Sequence, residues 1–212
     1  MTKGNLIIIS SPSGGGKGTL IRELLESVPY VGYSVSLTTR RPRIGEDDGT
    51  HYHFVSREEF DNRIANGEFL EYAEVHGNLY GTSIEQTEKM TSAGLDVVLE
   101  IDVQGAADVR KKMPNAVSIF IMPPSFEVLK ARLTARATEG SDDLELRLRN
   151  SFDEVMEYTH FDYVVVNDEL ASASRTLGGI VLAQRQRRDR QSEVIQGILG
   201  SFERSKLLNP ES

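Results

Sequence analysis

Apolar residues recur along this chain in two rhythms. Unbroken runs of aliphatic and β-branched residues fall at 5–10 (NLIIIS), 96–102 (DVVLEID), 116–122 (AVSIFIM) and 162–167 (DYVVVN). Such runs lack the alternation of a one-sided sheet and predict parallel strands buried on both faces. Between them lie longer amphipathic segments, which predict helices over 18–28, 125–136, 143–159 and 169–205. Ser125, directly after Pro123 and Pro124, is placed to cap the helix that starts there. Strands separated by helices predict an α/β fold with a mostly parallel sheet flanked by helices.

Residues 33–94 follow a different pattern. YSVSLTT alternates, HYHFVS reads as a short strand, and SREEF opens a helix with a capping box from Ser56 to Glu59. EFLEYAEVHGNLYGTS reads as two strands joined at HGN. The expected organisation is a core of 1–32 and 95–206, an inserted mixed α/β lobe of 33–94, and a tail of 207–212.

Length and charge narrow the functional classes. A chain of 212 residues suffices for one α/β domain with a small inserted unit. With 24 Lys and Arg against 32 Asp and Glu, the net charge of −8 argues against nucleic acid as partner. The chain contains no cysteine, which excludes disulfides, zinc–thiolate sites and a thiol nucleophile. Its first residues are too short an apolar run for a membrane span and lack the layout of a secretory signal. The expectation is a cytoplasmic protein with no membrane partner.

The stretch SSPSGGGKGT, residues 10–19, joins the first apolar strand to the first helix. A glycine-rich turn at a helix N-terminus gathers backbone N–H groups and the positive end of the helix dipole around one point. Ser11, Pro12, Ser13, Gly14, Gly15 and Gly16 form that turn, and Lys17 can reach the outer phosphates of a nucleoside triphosphate. The usual pattern has Ser or Thr after the lysine, as a Mg²⁺ ligand. Here that position is Gly18, with Thr19 one residue later. No side-chain metal ligand can therefore be assigned, and Mg²⁺ is expected between phosphates, held through water. Downstream, Arg40, Arg41 and Arg43 cluster near Tyr52, a donor set suited to a second phosphorylated ligand.

Eight motifs, in order, carry a resemblance: SPSGGGKGT, SLTTRRPRIGE, HYHFV, GEFLEY, GNLYGT, LEIDVQGA, IMPPS and VVVND. Together they closely resemble the guanylate kinases of bacteria, from about residue 4 to residue 185. The resemblance implies a P-loop nucleoside monophosphate kinase fold, transfer of the γ-phosphoryl of ATP to GMP or dGMP, and Mg²⁺ with the ATP. It implies Ser11 to Thr19 and Asn167 as ATP contacts. It implies Ser36, Glu71, Thr82 and Asp102 around the GMP base, Glu100 as a further GMP-binding residue, and Arg40, Arg43, Tyr52 and Tyr80 around its phosphate. Arg41 is expected to point elsewhere. Many relatives have aspartate where this chain has Glu100. The segment of about 133–147 corresponds to a lid, so that Lys17, Arg132, Arg136 and Arg147 are the implied catalytic cations. Ala137 stands where relatives often have glycine.

The assignment of the base has a chemical logic. Guanine offers N1–H and N2–H₂ as paired donors to a carboxylate, and O6 as an acceptor to a hydroxyl. Adenine reverses that polarity. The acceptor phosphate is already anionic at neutral pH, so no general base is needed. The four histidines, His51, His53, His76 and His160, have no metal-ligand spacing. Two rivals stay open: a kinase of another small acceptor, and a kinase-like module that binds a nucleotide or protein without catalysis. The resemblance also leaves a homo-oligomer open.

Overall fold

In the computed structural model the described residues are 2–75, 77–136 and 141–208, without the side chains of 136, 141–147 and 204–208. The four apolar runs become strands β1 (Leu6–Ser10), β7 (Asp96–Glu100), β8 (Val117–Met122) and β9 (Tyr163–Val166). A short strand β2 (Val31–Tyr33) completes a five-stranded parallel sheet of order β2-β7-β1-β8-β9. Both faces of the three central strands, β7, β1 and β8, are sealed. Ile7 and Ile9 point toward Leu20 and Leu24 of helix α1 (Lys17–Ser27) and Leu177 and Val181 of α7 (Leu170–Arg185). Leu6 and Ile8 point the other way, toward Ala106 and Val109 of α4 (Val103–Lys112). Burial on both sides is why β1, β7 and β8 read as unbroken apolar runs; β9, at the sheet edge, does not meet that expectation, since only Val165 of its four residues is buried.

The alternating block builds a second sheet, of order β4-β3-β6-β5, from β3 (Leu37–Thr38), β4 (His53–Phe54), β5 (Phe69–Val75) and β6 (Asn78–Ser83). β3 and β4 are parallel; the other pairs are antiparallel. Helix α2 (Arg57–Ala65) covers it, with Phe60 fully buried against Leu37, Phe69 and Leu79. Ser56 accepts from the Glu59 N–H at the start of α2, one half of the expected capping box.

The structure corrects the pattern reading in three places. YSVSLTT is not one strand: Tyr33 ends β2 in the first sheet, and Leu37 begins β3 in the second. Helix α3 (Ile84–Ser92) and α4 were not anticipated. Both are capped by side chains, Ser83 accepting from Gln86 N and Asp102 from Gly105 N. The segment 169–205 is two helices, α7 and α8 (Ser192–Leu208), not one. No Pro or Gly breaks it. Instead Gln191 Nε2 donates to Arg185 O, at the end of α7, at 2.7 Å, and Arg190 reaches back to Lys3 O at 3.0 Å. Ser125 Oγ accepts from Val128 N, capping α5 (Phe126–Arg136) as expected. The helix expected over 143–159 is α6 (Ser141–Met156), followed by a short 3-10 turn (Glu157–His160).

At the opposite end of the strands from the phosphate loop, Asp96 is buried. It accepts from Asn5 N and Nδ2 at 2.7 and 2.8 Å, and from Arg185 Nε at 2.7 Å. Arg185 also donates to Pro29 O, so the base of the sheet is tied to α7.

Candidate active site

The C-terminal edge of the parallel sheet collects the polar residues, because the chain leaves each strand there for a loop. After Ser10 the loop turns back through Gly14 (φ +81°) and Gly16 (φ +86°) before α1 begins at Lys17. Glycine is required at 16 on two counts: the backbone is left-handed, and a Cβ would stand 2.3 Å from Asn167 Nδ2. Asn167 follows β9 and is buried. Its amide donates to Gly15 O at 2.9 Å, which commits that side chain to the loop's own backbone. Arg132 on α5 donates through Nη2 to Asn167 O at 3.0 Å, while its buried Nη1 has no hydrogen-bond partner among the described residues.

Lys17 donates to Ile101 O at 2.8 Å. Burial pushes its ammonium pKa down, against the pull of Glu100, Asp102 and Glu154. Glu100 ends β7 and accepts from Tyr33 Oη at 3.2 Å. Asp102 caps α4 and is solvent-exposed. Gly18 and Thr19 lie exposed on the first turn of α1.

The second sheet presents a separate constellation. Glu71 and Thr82 face each other across the β5–β6 pair, and the Thr82 hydroxyl donates to Glu71 Oε1. Both are buried. Burial raises the Glu71 pKa, a shift that the Thr82 bond opposes and that nearby Asp102 and Asp108 add to. Arg40 lies 5.3 Å from the Tyr52 ring centroid and 5.8 Å from that of Phe54, and Tyr52 packs edge-on against Tyr80 at 5.7 Å. Arg41 and Arg43 are exposed. Ser36 precedes β3 and is half-buried.

A guanylate kinase family model matches residues 3–184. The chain is 53% identical over 197 residues to the guanylate kinase of Neisseria meningitidis serogroup A, covering 93% of this chain and 96% of the relative. It is 49% identical over 185 residues to that of Symbiobacterium thermophilum, covering 87% and 88%. The crystal structure of guanylate kinase from Anaplasma phagocytophilum superposes with a TM-score of 0.72 at 36% identity, covering 90% of each chain.

The chain belongs to the guanylate kinase family.

Three residues of this guanylate kinase fold escaped the sequence reading. Glu46 accepts from Arg40 Nη2 at 2.8 Å and from Arg43 N at 2.7 Å, which lowers its pKa to about 2. It lay inside a quoted motif, but a carboxylate organising an arginine cluster has no spacing signature. Tyr33 is the second, and burial with the adjacent Glu100 raises its pKa. Glu154 on α6 is the third: its Oε2 accepts from Ser13 N of the phosphate loop at 2.8 Å, and burial raises its pKa. No motif could have announced a contact between residues 141 positions apart. The side chains of Arg136 and Arg147, with Ala137, lie outside the described residues. His53 contacts Gln86, His51 accepts from Asp47 N and His160 pairs with Glu157; His76 lies outside the described residues. Among the described residues no group of three acids or histidines could hold a metal by itself.

Proposed function

We propose that the chain transfers the γ-phosphoryl group of ATP to GMP, and more weakly to dGMP, giving ADP and GDP. The observation that carries this reading is the buried Glu71 carboxylate. Thr82 occupies Oε1, and Oε2 accepts no hydrogen bond among the described residues. A buried acceptor left open in this way fits the paired N1–H and N2–H₂ donors of guanine and opposes the edge of adenine. Ser36, Thr82, Asp102 and Glu100 complete the proposed base and acceptor contacts. Arg40, Arg43, Tyr52 and Tyr80 hold the acceptor phosphate, with Glu46 setting the spacing of the two arginines. Residues 33–94 form the acceptor lobe on this reading, and about 133–147 the lid.

On the donor side, the loop from Ser11 to Thr19 cradles the triphosphate. Its N–H groups and Lys17 neutralise the β- and γ-phosphates. The open Nη1 of Arg132 supports a donor role toward the transferring group, with Arg136 and Arg147 closing from the lid. A GMP phosphate oxygen forms the new bond to Pγ as the bond from Pγ to the ADP oxygen breaks. The nucleophile is anionic, so the residues position and neutralise rather than abstract a proton. Asn167 holds the loop in shape from behind, whether or not it also meets the adenine.

Mg²⁺ fits the residues present. The carboxylates of Glu100 and Asp102 are hard oxygen donors beside the loop, too few to bind the ion without phosphates and water. When bound, the metal would draw charge from the β- and γ-phosphates. Glu100 is the carboxylate placed to hold it.

ATP and GMP meet in the cytoplasm, and we place the protein there. No helix of the described residues is long and apolar enough to cross a membrane. A homo-oligomer is supported by α8, where Val194, Ile198, Leu199 and Phe202 are all exposed. The test of function is ADP release from Mg-ATP with GMP, dGMP, AMP and UMP in parallel. Turnover strongly selective for GMP is expected. Turnover on AMP would overturn the base reading, and binding of both nucleotides without turnover would support the non-catalytic rival.

A further inference from the structure

The first turn of α4 carries a glycine where a helix would gain from almost any other residue. Gly105 is buried and its backbone is not left-handed, so neither exposure nor φ calls for glycine there. Inside a helix, glycine is worse than alanine because it has more freedom to lose on folding. Its neighbours explain it. A Cβ at 105 would stand 3.1 Å from Glu71 Oε2 and 3.3 Å from Asp102 Oδ1, with Ile101 Cβ at an ordinary 3.4 Å. A side chain there would press between two carboxylates read above as guanine contacts, one from β5 and one from the cap of α4. We propose that Gly105 determines specificity for the base: its bare Cα lets Glu71 Oε2 keep the orientation in which the carboxylate meets N1–H and N2–H₂ of guanine together. Gly105 acts through the acid, so it is a positioning residue. The inference rests on the reading of Glu71 as the guanine carboxylate and adds what keeps that carboxylate aligned.

Only Glu71 is free to give way to a larger residue. Asp102 is pinned, because its Oδ1 accepts from Gly105 N at 2.7 Å. Helix α4 cannot retreat. Ala106 and Val109, on its buried face, pack with Leu6 and Ile8 of β1. At its far end Lys112 Nζ donates to Phe69 O of β5 at 3.0 Å. Glu71, by contrast, is held at one oxygen, where the Thr82 hydroxyl donates to Oε1. A methyl at 105 would turn the carboxylate about that anchor and carry Oε2 away by a few tenths of an ångström. Two parallel N–H···O bonds need both oxygens near the plane of the base, so a small turn weakens them together. Hypoxanthine, which has N1–H but no 2-amino group, offers one donor on this edge and tolerates the turn better.

The experiment compares GMP with IMP as acceptors in Gly105→Ala, with ATP as the control. The KM for GMP should rise about 10-fold, against about 100-fold for a misplacement of about 1 Å. The KM for IMP should change less than about threefold and that for ATP less than about twofold, so the preference for GMP over IMP narrows. The melting temperature should not fall, since alanine favours the helix. Glu71→Asp supplies the second arm, because it withdraws the carboxylate from the new methyl by about 1.5 Å, one C–C bond. In that background Gly105→Ala should add little further loss, a coupling that independent sites do not show. If Gly105→Ala alone does not fold, the double variant should; failure of both would overturn the proposal. So would an unchanged KM for GMP, equal losses for GMP and IMP, or additive losses with Glu71→Asp. A lower melting temperature together with a higher KM for ATP would make Gly105 structural and overturn it as well. The acceptor reading is judged on the wild type. A wild type that prefers GMP to IMP and AMP, with Gly105→Ala indistinguishable from it, sinks this inference alone. A wild type that prefers AMP sinks the acceptor assignment.

Discussion

Replacing Glu71 with glutamine keeps the shape of the side chain and changes only what it offers to a base. Thr82 can still donate to the amide oxygen, so the local structure survives. The amide nitrogen then occupies the position of Oε2, where it meets an N–H of guanine as a second donor. Two charge-assisted bonds of about 1.5–3 kcal/mol each are weakened or lost, and a buried donor is left unpaired. The net loss should be about 3–5 kcal/mol, which at ~1.36 kcal/mol per decade corresponds to about 150- to 5,000-fold in kcat/KM for GMP. The KM for ATP should not move. Stability should move the other way. Burial raises the Glu71 pKa in the folded chain, so the folded state holds the proton more tightly than the unfolded one. The wild type therefore loses stability as pH rises from about 4.3, the ordinary glutamate value, through the raised value, and is level above it. Glu71→Gln lacks that loss and should melt no lower than wild type at pH 7. Steady-state ADP release and thermal melting read both effects. A variant within about threefold of wild type on GMP would refute the assignment, and one that melts well below wild type would show that Glu71 is structural.

Lys17→Met should lower kcat by about 100- to 1,000-fold or more while GMP still binds, since it removes a preorganised charge at the transferring group; single-turnover kinetics would show it. Arg40→Met should act mainly on the KM for GMP. The Glu46 pKa of about 2 gives a pH signature: the stability it contributes is present above about 4.3 and is lost as pH falls toward 2, a slope that Glu46→Gln should abolish in acid titrations followed by circular dichroism. Phe60→Ala should destabilise by about 3–5 kcal/mol, because Phe60 is fully buried and stacks on Phe69 at 4.5 Å; GMP affinity should fail before ATP affinity, as read by calorimetry at rising temperature. Gly16→Ala should weaken ATP binding, because the new methyl displaces Asn167 from the loop.

Much of the fold was legible where one physical demand dominated. Strands buried on both faces admit few residue types, so β1, β7 and β8 were plain in the sequence, and β9 was legible through its run of valines although only Val165 is buried. A phosphate loop needs glycine at fixed points, so it was plain too. Short elements were not. β2 and β3 contribute three and two residues to different sheets, and YSVSLTT carries no mark of where one sheet ends and the other begins. The break after α7 was hidden because it is made by Gln191 and Arg190 reaching across the turn, not by a helix-breaking residue. The same limit applies to the site. Glu71 and Arg40 were found through motifs, but Glu154 and Tyr33 act through contacts between distant segments, which no local spacing encodes.

The order of the parallel sheet also bears on how the chain is made. β1 precedes the other strands of its sheet along the chain and lies in the middle of that sheet, between β7 and β8. Asn5, at its start, meets Asp96 only after 91 further residues, about 5–20 s of synthesis at ordinary rates. Asp96 then needs Arg185, another 89 residues on, before its charge is matched. This buried apolar strand thus spends its first seconds without either neighbour, and the salt bridge at the base of the sheet closes only once Arg185 has been made. A product cut short before residue 185 would leave the buried Asp96 carboxylate without its arginine, a fault at the base of the sheet rather than a frayed end.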